Sequence, residues 1–204
     1  MQIAIIGSGN VGGALAQQWI HAGHQIRIGA QFPLSEKNLQ LAQKIGVEKF
    51  TSIRDAVQSS DIILLAIPPA AIGDVVLAMG DVAGKTLIDA TNSMKPLSEQ
   101  HPTVYHYLRD HTAAAIVKCF NSTGYENMLN PVYLGKGIDM FMAGDSEAAK
   151  SIAQQLALDA GFGTCLDFGK SDKVVLLEKF AMAWINLAIV QQLGRNMAFR
   201  VVFR

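Results

Sequence analysis

The 204-residue chain carries 17 lysines and arginines against 17 aspartates and glutamates, so its formal net charge is zero. Apolar residues make up 50% of the chain, and charged residues make up 17%, below the roughly 25% of an average globular protein. This composition excludes a disordered chain, and the lack of any Lys/Arg run argues against a nucleic-acid partner. The length favours one domain with at most a small appendage.

The cysteines and the first residues of the chain indicate its compartment. Cys119 and Cys165 are too few for a disulfide framework, which favours a reducing compartment. The N-terminal residues lead directly into a glycine turn and lack the pattern of a signal peptide. Since no apolar run is long enough to cross a bilayer, we expect a soluble, cytoplasmic protein without a membrane contact.

Short apolar runs alternate with amphipathic stretches along the first 120 residues, which is typical of βαβ units around a parallel sheet. The predicted elements, in chain order, are strand 2–6, helix 11–22, strand 25–28, helix 37–45, strand 49–50, helix 52–59, strand 61–67, helix 71–79, strand 86–89 and strand 115–120. Near-continuous Val/Ile/Leu runs suit strands that are buried on both faces. The predicted fold class is therefore α/β, with a doubly wound, mostly parallel sheet.

The C-terminal third of the chain continues with a predicted strand 139–143, a helix 146–160 and a strand 164–167. Residues 172–193 are apolar almost all round a helix, and such a helix has to be buried on every side. We expect a homodimer built around this helix; packing in a cleft of its own chain is the alternative. We divide the chain into a sheet domain, residues 1–145, and a small C-terminal helical part, residues 146–204.

A glycine-rich turn that fits G-x-G-x-x-G joins the first predicted strand to the first predicted helix. Its residues are Gly7, Ser8, Gly9, Asn10, Val11 and Gly12. The first glycine permits the tight turn, the second lets the backbone approach a diphosphate, and the third lets the helix pack on the strand. The helix N-terminus adds unpaired N–H groups and a partial positive charge. The turn therefore predicts a Rossmann-type dinucleotide site.

The residues after the second strand bear on the choice between NAD and NADP. An NAD site usually has an acidic residue there, but Ala30 and Gln31 occupy the place and the first carboxylate is Glu36. An arginine that would contact a 2′-phosphate is also missing. Lys37 lies close enough in sequence to reach a 2′-phosphate, although a solvated lysine is the alternative. We expect NADP, with NAD as a possibility.

Three predicted strand ends converge where ligands bind in open α/β sheets. Ile67, Pro68 and Pro69 end the fourth strand and offer an apolar shelf for a nicotinamide ring. Asn92 and Asn121 follow the next two strands and supply hydrogen-bonding side chains. Because the carboxyl ends of parallel strands meet at one edge, the loops that follow these three strands predict a single pocket that holds the rest of the cofactor.

The sequence offers no evident catalytic acid, base or metal site. The histidines do not fall on one helical face, and neither H-E-x-x-H, C-x-x-C nor G-x-S-x-G occurs. Cys119 lies within an apolar strand and is expected to be inert. Reduction of a carbonyl or imine generally needs a proton donor, whereas hydride transfer between two flat redox rings needs mainly alignment. We therefore assign no catalytic residue and favour ring-to-ring transfer.

Taken together, these features resemble the NADP-dependent reductases of the 5-deazaflavin coenzyme F420. The resemblance is carried by residues 1–13, 23–26, 66–69, 117–121, with the sequence Val-Lys-Cys-Phe-Asn, and 143–145. It implies a Rossmann domain, a small helical C-terminal part, a dimer, and direct hydride transfer between NADP(H) and a deazaflavin or flavin. In that family Ser/Thr and Arg clasp the 2′-phosphate where this chain has Ala30 and Gln31.

Two other functions remain open at this point. β-Hydroxyacid dehydrogenases and imine reductases share the glycine turn, but their lysine is followed by an asparagine four residues later. Here Ala183 follows Lys179 at that distance, and Asn186 lies seven residues away. The other alternative is a non-catalytic protein that responds to NADP(H) occupancy through its dimer surface.

Overall fold

The computed structural model describes residues 1–33 and 35–204, including every side chain in those ranges except that of residue 37. An eight-stranded sheet forms its centre, and a two-stranded hairpin lies apart from it. The strands are β1 (Gln2–Ile6), β2 (Gln25–Gly29), β3 (Phe50–Thr51), β4 (Ile62–Leu65), β5 (Thr86–Asp89), β6 (Ala115–Cys119), β7 (Val132–Tyr133), β8 (Lys136–Gly137), β9 (Asp139–Ala143) and β10 (Thr164–Asp167).

The order of the strands across the sheet is β10-β9-β6-β5-β4-β1-β2-β3. Strands β1 to β6 are parallel and have the classic doubly wound order 3-2-1-4-5-6. Strand β9 runs antiparallel to β6, and β10 is parallel to β9. The predicted fold class is therefore confirmed, and the carboxyl ends of β1, β4, β5 and β6 share one edge of the sheet.

Helices cover both faces of the sheet. They are α1 (Asn10–His21), α2 (Glu36–Ile45), α3 (Ile53–Gln58), α4 (Ile72–Met79), α5 (Val104–His111), α6 (Tyr125–Leu129), α7 (Glu147–Asp159) and α8 (Val174–Ile185). The alternation within β1 shows the two layers: Ile3 and Ile5 pack with α1, α2 and α7, whereas Ala4 and Ile6 pack with α3, α4 and α5. Strands buried on both faces explain the unbroken apolar runs in the sequence.

The structure adds short elements that the sequence analysis does not predict. These are α5, α6 and the β7–β8 hairpin, each of eight residues or fewer. Such short segments contain too few turns or alternations to produce a clear periodic pattern. The C-terminal helix also differs from the prediction: α8 covers residues 174–185 and continues as a π-helical turn, Asn186–Val190.

The helix α8 is buried on one face only within this chain. Val174, Leu177 and Trp184 point into the protein, and the indole Nε1 of Trp184 donates to the Met197 carbonyl at 2.8 Å. The opposite face leaves Leu176 52% and Val190 64% exposed. The expectation that one chain would not bury the whole helix therefore holds, but the buried Trp184 belongs to the chain's own core.

Residues 146–204 contribute α7 and β10 to the same central sheet as the residues before them. The division of the chain at residue 145 stays a prediction. Among the residues that the structure describes, no helix combines the length and the apolar character needed to cross a membrane.

Trp19 connects the two parts of the chain and provides a test of how they unfold. It is fully buried in α1, and its Nε1 donates to the Leu156 carbonyl of α7 at 2.9 Å. Trp19→Phe removes this buried hydrogen bond and part of the packing of the indole ring, so we expect the free energy of unfolding to fall by about 1–3 kcal/mol. Urea denaturation monitored by circular dichroism measures this change, and we expect one cooperative transition.

The matched control is Leu77→Ala, because Leu77 is 77% exposed and its replacement should change stability by less than about 0.5 kcal/mol. Two separate transitions in the wild type, or an unchanged midpoint in Trp19→Phe, would contradict this description.

Candidate functional site

The turn between β1 and α1 brings three segments of backbone close together. Gly7 has φ +110°, and a Cβ there would lie 2.3 Å from the Ala66 carbonyl oxygen. A Cβ on Gly12 would lie 2.0 Å from the Gly7 carbonyl oxygen. Since real Cβ atoms do not approach oxygen so closely, both positions require glycine for the protein's own packing.

Gly9 differs from the other two glycines of the turn. A Cβ built there meets no protein atom within 4 Å, and Gly9 has φ −71°, which any residue adopts. Protein packing therefore does not explain the glycine. The open space lies in front of the first N–H groups of α1, where a diphosphate would bind. This cradle fits the predicted dinucleotide.

A cavity of about 600 Å³, here called the β2–β4 cavity, extends from the turn over the ends of β2 and β4. The predicted residues that line it are Gly7, Ser8, Gly9, Ala30, Gln31, Ile67 and Pro68. Its volume lies within the roughly 300–1,000 Å³ of ligand clefts. Pro69 is not among its lining residues, because it begins the short helical turn Pro69–Ala71.

The described lining of the β2–β4 cavity contains one charged residue, Asp74 of α4, and no cation. The predicted contact from Lys37 falls on a side chain outside the described residues. The loop after β2 is nevertheless held against the glycine turn: Asn38 accepts from the Ser8 hydroxyl and donates to the Phe32 and Pro33 carbonyls at 2.9 and 3.1 Å. The structure thus fixes the backbone beside the expected ribose without adding a charge there.

A second cavity of about 280 Å³, the β5–β6 cavity, lies on the other side of the α1 N-terminus. The predicted residues Asn10, Val11, Asn92 and Asn121 line it. The other lining residues are Thr123, Gly124, Tyr125, Trp184, Ile185, Ile189 and Arg195. The three loops predicted to form one pocket therefore line two cavities. The loop after β4 lines the β2–β4 cavity, and the loops after β5 and β6 line the β5–β6 cavity.

Arg195 is the charged residue in the described lining of the β5–β6 cavity. Its guanidinium carbon lies 5.5 Å from the Tyr125 ring centroid and 5.6 Å from that of Trp184. Its Nε donates to Glu126 Oε1 at 2.5 Å. Burial acts to raise the pKa of Glu126, but Arg195, together with hydrogen bonds from a backbone amide and from Tyr125, holds that pKa below its usual value. Two aromatic rings under a cation form a wall suited to a planar ligand.

Asn92 and Asn121, which both line the β5–β6 cavity, are joined by two hydrogen bonds. Asn92 Nδ2 donates to the Asn121 carbonyl at 2.8 Å, and Asn121 Nδ2 donates to Asn92 Oδ1 at 3.0 Å. The Oδ1 of Asn121 is buried without a hydrogen-bond partner in the described protein. Phe120, which precedes it with φ +60°, turns the chain sharply at the end of β6. An unpaired buried acceptor is costly, so this oxygen is a candidate to accept a hydrogen bond from a group outside the protein.

The sequence analysis missed a buried charge cluster directly behind these asparagines. Lys118 of β6 is fully buried and donates to Asp89 Oδ2 at 3.0 Å, Glu178 Oε1 at 2.5 Å and the Thr91 carbonyl at 2.6 Å, with a longer bond to the Thr91 hydroxyl at 3.5 Å. The sequence quoted for the resemblance contains this lysine. Its carboxylate partners lie 29 and 60 residues away, so no local pattern could have paired them.

The protein interior shifts the titration of the Glu178 carboxyl group. Burial raises the pKa of Glu178, and the attraction of Lys118 only partly offsets that effect. With both carboxylates ionised the cluster would carry a net negative charge in the protein interior, which is unfavourable. The sequence analysis found no acid near the pocket, but this carboxyl group lies behind it without lining it.

The remaining candidates are placed away from the two cavities. Cys119 is fully buried, and burial, followed by its contact with Cys165 at 3.8 Å between sulfurs, raises its thiol pKa well above the usual value. It is thus a poor nucleophile. Within the described ranges, no group of three or more His, Cys, Asp or Glu side chains is arranged to hold a metal ion.

Comparison with known proteins relates this geometry to characterised families. Residues 2–93 match the family model described as NADP oxidoreductase, coenzyme F420-dependent. A glycerol-3-phosphate dehydrogenase [NAD(P)+] of Thermoanaerobacter sp. (strain X514) is 23% identical, over 95% of this chain and 67% of its own.

Solved structures extend the similarity over the whole chain at the level of the fold. A candidate F420-dependent NADP reductase from Arthrobacter sp. FB24 has a TM-score of 0.86 at 22% identity, with all of both chains covered. A reductive aminase from Aspergillus terreus in complex with NADPH has a TM-score of 0.68 at 18% identity. The present chain spans 62% of that aminase.

The family match includes the glycine turn, the end of β2, the proline lip and Asn92, which are the elements that build the β2–β4 cavity and one wall of the β5–β6 cavity. The resemblance predicted from the sequence is confirmed, as is the predicted class of enzyme. Residues 2–93 match the model of the coenzyme F420-dependent NADP oxidoreductase family, and the chain is an NAD(P)-dependent oxidoreductase.

Proposed function

We propose that the chain transfers hydride between NADP(H) and a deazaflavin- or flavin-type ring. In the reducing direction NADPH, a proton and the oxidised ring give NADP⁺ and the dihydro ring. The observation that carries the proposal is the pair of cavities that flank the N-terminus of α1. One cavity has the size to hold a large part of a dinucleotide, and the other offers an aromatic wall for a second planar ligand.

Some residues of the chain would bind the dinucleotide, and others would orient the acceptor ring. The open position at Gly9 and the amides that follow it would hold the diphosphate, and the shelf of Ile67 and Pro68 would support the nicotinamide. When bound, the nicotinamide supplies the hydride. Asn92 and Asn121 would orient the acceptor ring in the β5–β6 cavity, whose described lining contains no carboxylate. This supports alignment of two rings over proton-coupled carbonyl reduction.

The positions of Lys179 and Asn186 argue against the β-hydroxyacid dehydrogenase mechanism. Both residues are exposed, and neither is among the lining residues of the β5–β6 cavity. A lysine that points to solvent would not protonate a substrate bound beside Asn92. We also infer a cytoplasmic location from the free, buried cysteines, which suit a reducing compartment.

The function is tested by NADPH oxidation, followed at the nicotinamide absorbance, against flavin mononucleotide, a 5-deazaflavin and ferric chelates. We expect turnover with the deazaflavin or the flavin. Gly9→Val places a branched side chain where the diphosphate would lie, so NADPH binding should weaken by at least about tenfold without loss of folding. Turnover with none of the acceptors, or an unchanged NADPH titration in Gly9→Val, would contradict the proposal.

The matched control for that variant is Gly12→Ala in the same turn. Its Cβ would lie 2.0 Å from the Gly7 carbonyl, so this variant should lose thermal stability as well as cofactor binding. The contrast separates a glycine needed by the ligand from a glycine needed by the fold.

We infer that NADP is preferred and that the preference can be strengthened at the end of β2. Gln31 is exposed in the lining of the β2–β4 cavity, close to where a 2′-phosphate would lie. Gln31→Arg provides a charge-assisted partner, and we expect the ratio of NADH to NADPH dissociation constants to rise about tenfold. Calorimetric titration with both nucleotides measures it; an unchanged ratio would place the 2′-phosphate elsewhere.

We further infer a homodimer that covers the outer face of α8. Leu176 on α8 is 52% exposed, and Val190 and Leu193, which follow the helix, are 64% and 66% exposed. Large exposed apolar side chains of this kind suit a contact with a second copy of the chain.

Leu176→Asp places a charge on that face, and we expect it to convert dimers into monomers in sedimentation velocity. Leu77→Asp is the control, since Leu77 is 77% exposed on a different helix, α4. A monomeric wild type, or a dimer that survives in Leu176→Asp, would refute the interface.

A further inference from the structure

We infer that Lys118, Asp89 and Glu178 form a positioning cluster that aims the Asn121 side chain at an N–H group of the acceptor ring. This inference deepens the proposed function and rests on it for the identity of the ring. The cluster touches neither cofactor nor acceptor. It acts through the loop that follows β5, residues 90–93, and through the asparagine pair.

The carboxylates hold the loop at two points. Asp89 Oδ1 accepts from the Thr91 amide at 2.9 Å and from the Thr91 hydroxyl at 2.7 Å. Glu178 Oε2 accepts from the Ser93 amide at 2.9 Å. Asn92 lies between these two anchored residues, so its backbone is fixed on both sides.

Lys118 holds both carboxylates in place. It donates to one oxygen of each, which leaves the other oxygen of each free to accept from the loop. Because Lys118 belongs to β6 and Glu178 to α8, the cluster joins the end of the sheet to the C-terminal helix. The loop is therefore anchored to three separate elements by a single ammonium group.

The asparagine pair connects the anchored loop to the β5–β6 cavity. Asn92 Oδ1 accepts from Asn121 Nδ2, which leaves Asn121 Oδ1 as the atom without a partner in the described protein. Asn121 is 4% exposed and lines the β5–β6 cavity. An unpaired carbonyl-type oxygen calls for a donor, and the ring N–H between the two carbonyls of a flavin or deazaflavin is such a donor.

The specificity that follows is for acceptors with this ring N–H over acceptors without it. A site that hydrogen-bonds one substrate group discriminates strongly against an analogue that lacks the group, because its own polar atom stays unpaired. Lumiflavin and 3-methyllumiflavin differ only by a methyl group on that nitrogen, so they are the appropriate probe pair.

Glu178→Gln tests the cluster without removing the buried lysine. In glutamine one of the two carboxylate oxygens is replaced by an NH₂ group, so Lys118 and the Ser93 amide no longer each have their own acceptor oxygen. The bond to the charged lysine is the stronger of the two and should be kept. The Ser93 amide should then lose its acceptor. The matched control is Asp167→Asn: Asp167 is also one of two carboxylates on a buried lysine, Lys150, at 2.9 Å, but it lies on the edge strand β10, which β9 separates from β6.

In the wild type we expect a lower KM for lumiflavin than for 3-methyllumiflavin. In Glu178→Gln the lumiflavin KM should rise about fivefold, equivalent to one lost hydrogen bond, and the difference between the two flavins should shrink. The NADPH dissociation constant should not change. Asp167→Asn should resemble the wild type in all three quantities. A merely structural role for Glu178 would leave the ratio between the flavins unaltered, and that result would overturn the inference.

Amide hydrogen exchange separates failure of this inference from failure of the proposed function. If no flavin is turned over by the wild type, the function is wrong, but the cluster still predicts faster exchange at the Ser93 amide in Glu178→Gln than in Asp167→Asn. Equal exchange at Ser93 in these two variants would refute the cluster whether or not the flavins react.

Discussion

The turn between β1 and α1 depends on one steric constraint: two of its glycines leave no room for a side chain. Gly7 and Gly12 bring the first turn of α1 against the ends of β1 and β4, and a Cβ at either would overlap a carbonyl oxygen. This close packing aims the N–H groups of α1 at the space between the two cavities. Gly9 keeps that space open although the fold does not require it. The site is therefore built by glycines with two different functions.

The parallel sheet extends this arrangement to the β5–β6 cavity. Because β5 and β6 end at the same edge as β1, their loops reach the α1 N-terminus, and Asn92 and Asn121 meet there. The wall opposite comes from α6, α8 and Arg195, all of which follow residue 93 in the chain. The described lining of the β2–β4 cavity thus lies within residues 2–93, which match the family model, whereas the β5–β6 cavity also needs residues from the rest of the chain.

The sequence allowed the fold and the cofactor turn to be predicted because both follow from local patterns. Unbroken apolar runs mark buried parallel strands, and G-x-G-x-x-G after a strand has a specific steric meaning. The cluster of Lys118 could not be predicted, since a lysine in an apolar strand gives no indication of distant carboxylates. The left-handed backbone of Phe120 is equally invisible in sequence, although it sets the direction of Asn121. The sequence also could not show which face of α8 stays exposed. That depends on tertiary packing, which the spacing of apolar residues along the helix does not reveal.

The central claim is that the α1 N-terminus holds a diphosphate, with the nicotinamide directed toward the asparagine pair. A crystal structure of the protein with NADPH tests it most directly. The account predicts phosphate oxygens within hydrogen-bond distance of the backbone amides that follow Gly9, and the nicotinamide ring at the edge of the β5–β6 cavity. A diphosphate bound away from these amides, or a nicotinamide directed away from Asn92 and Asn121, would contradict it.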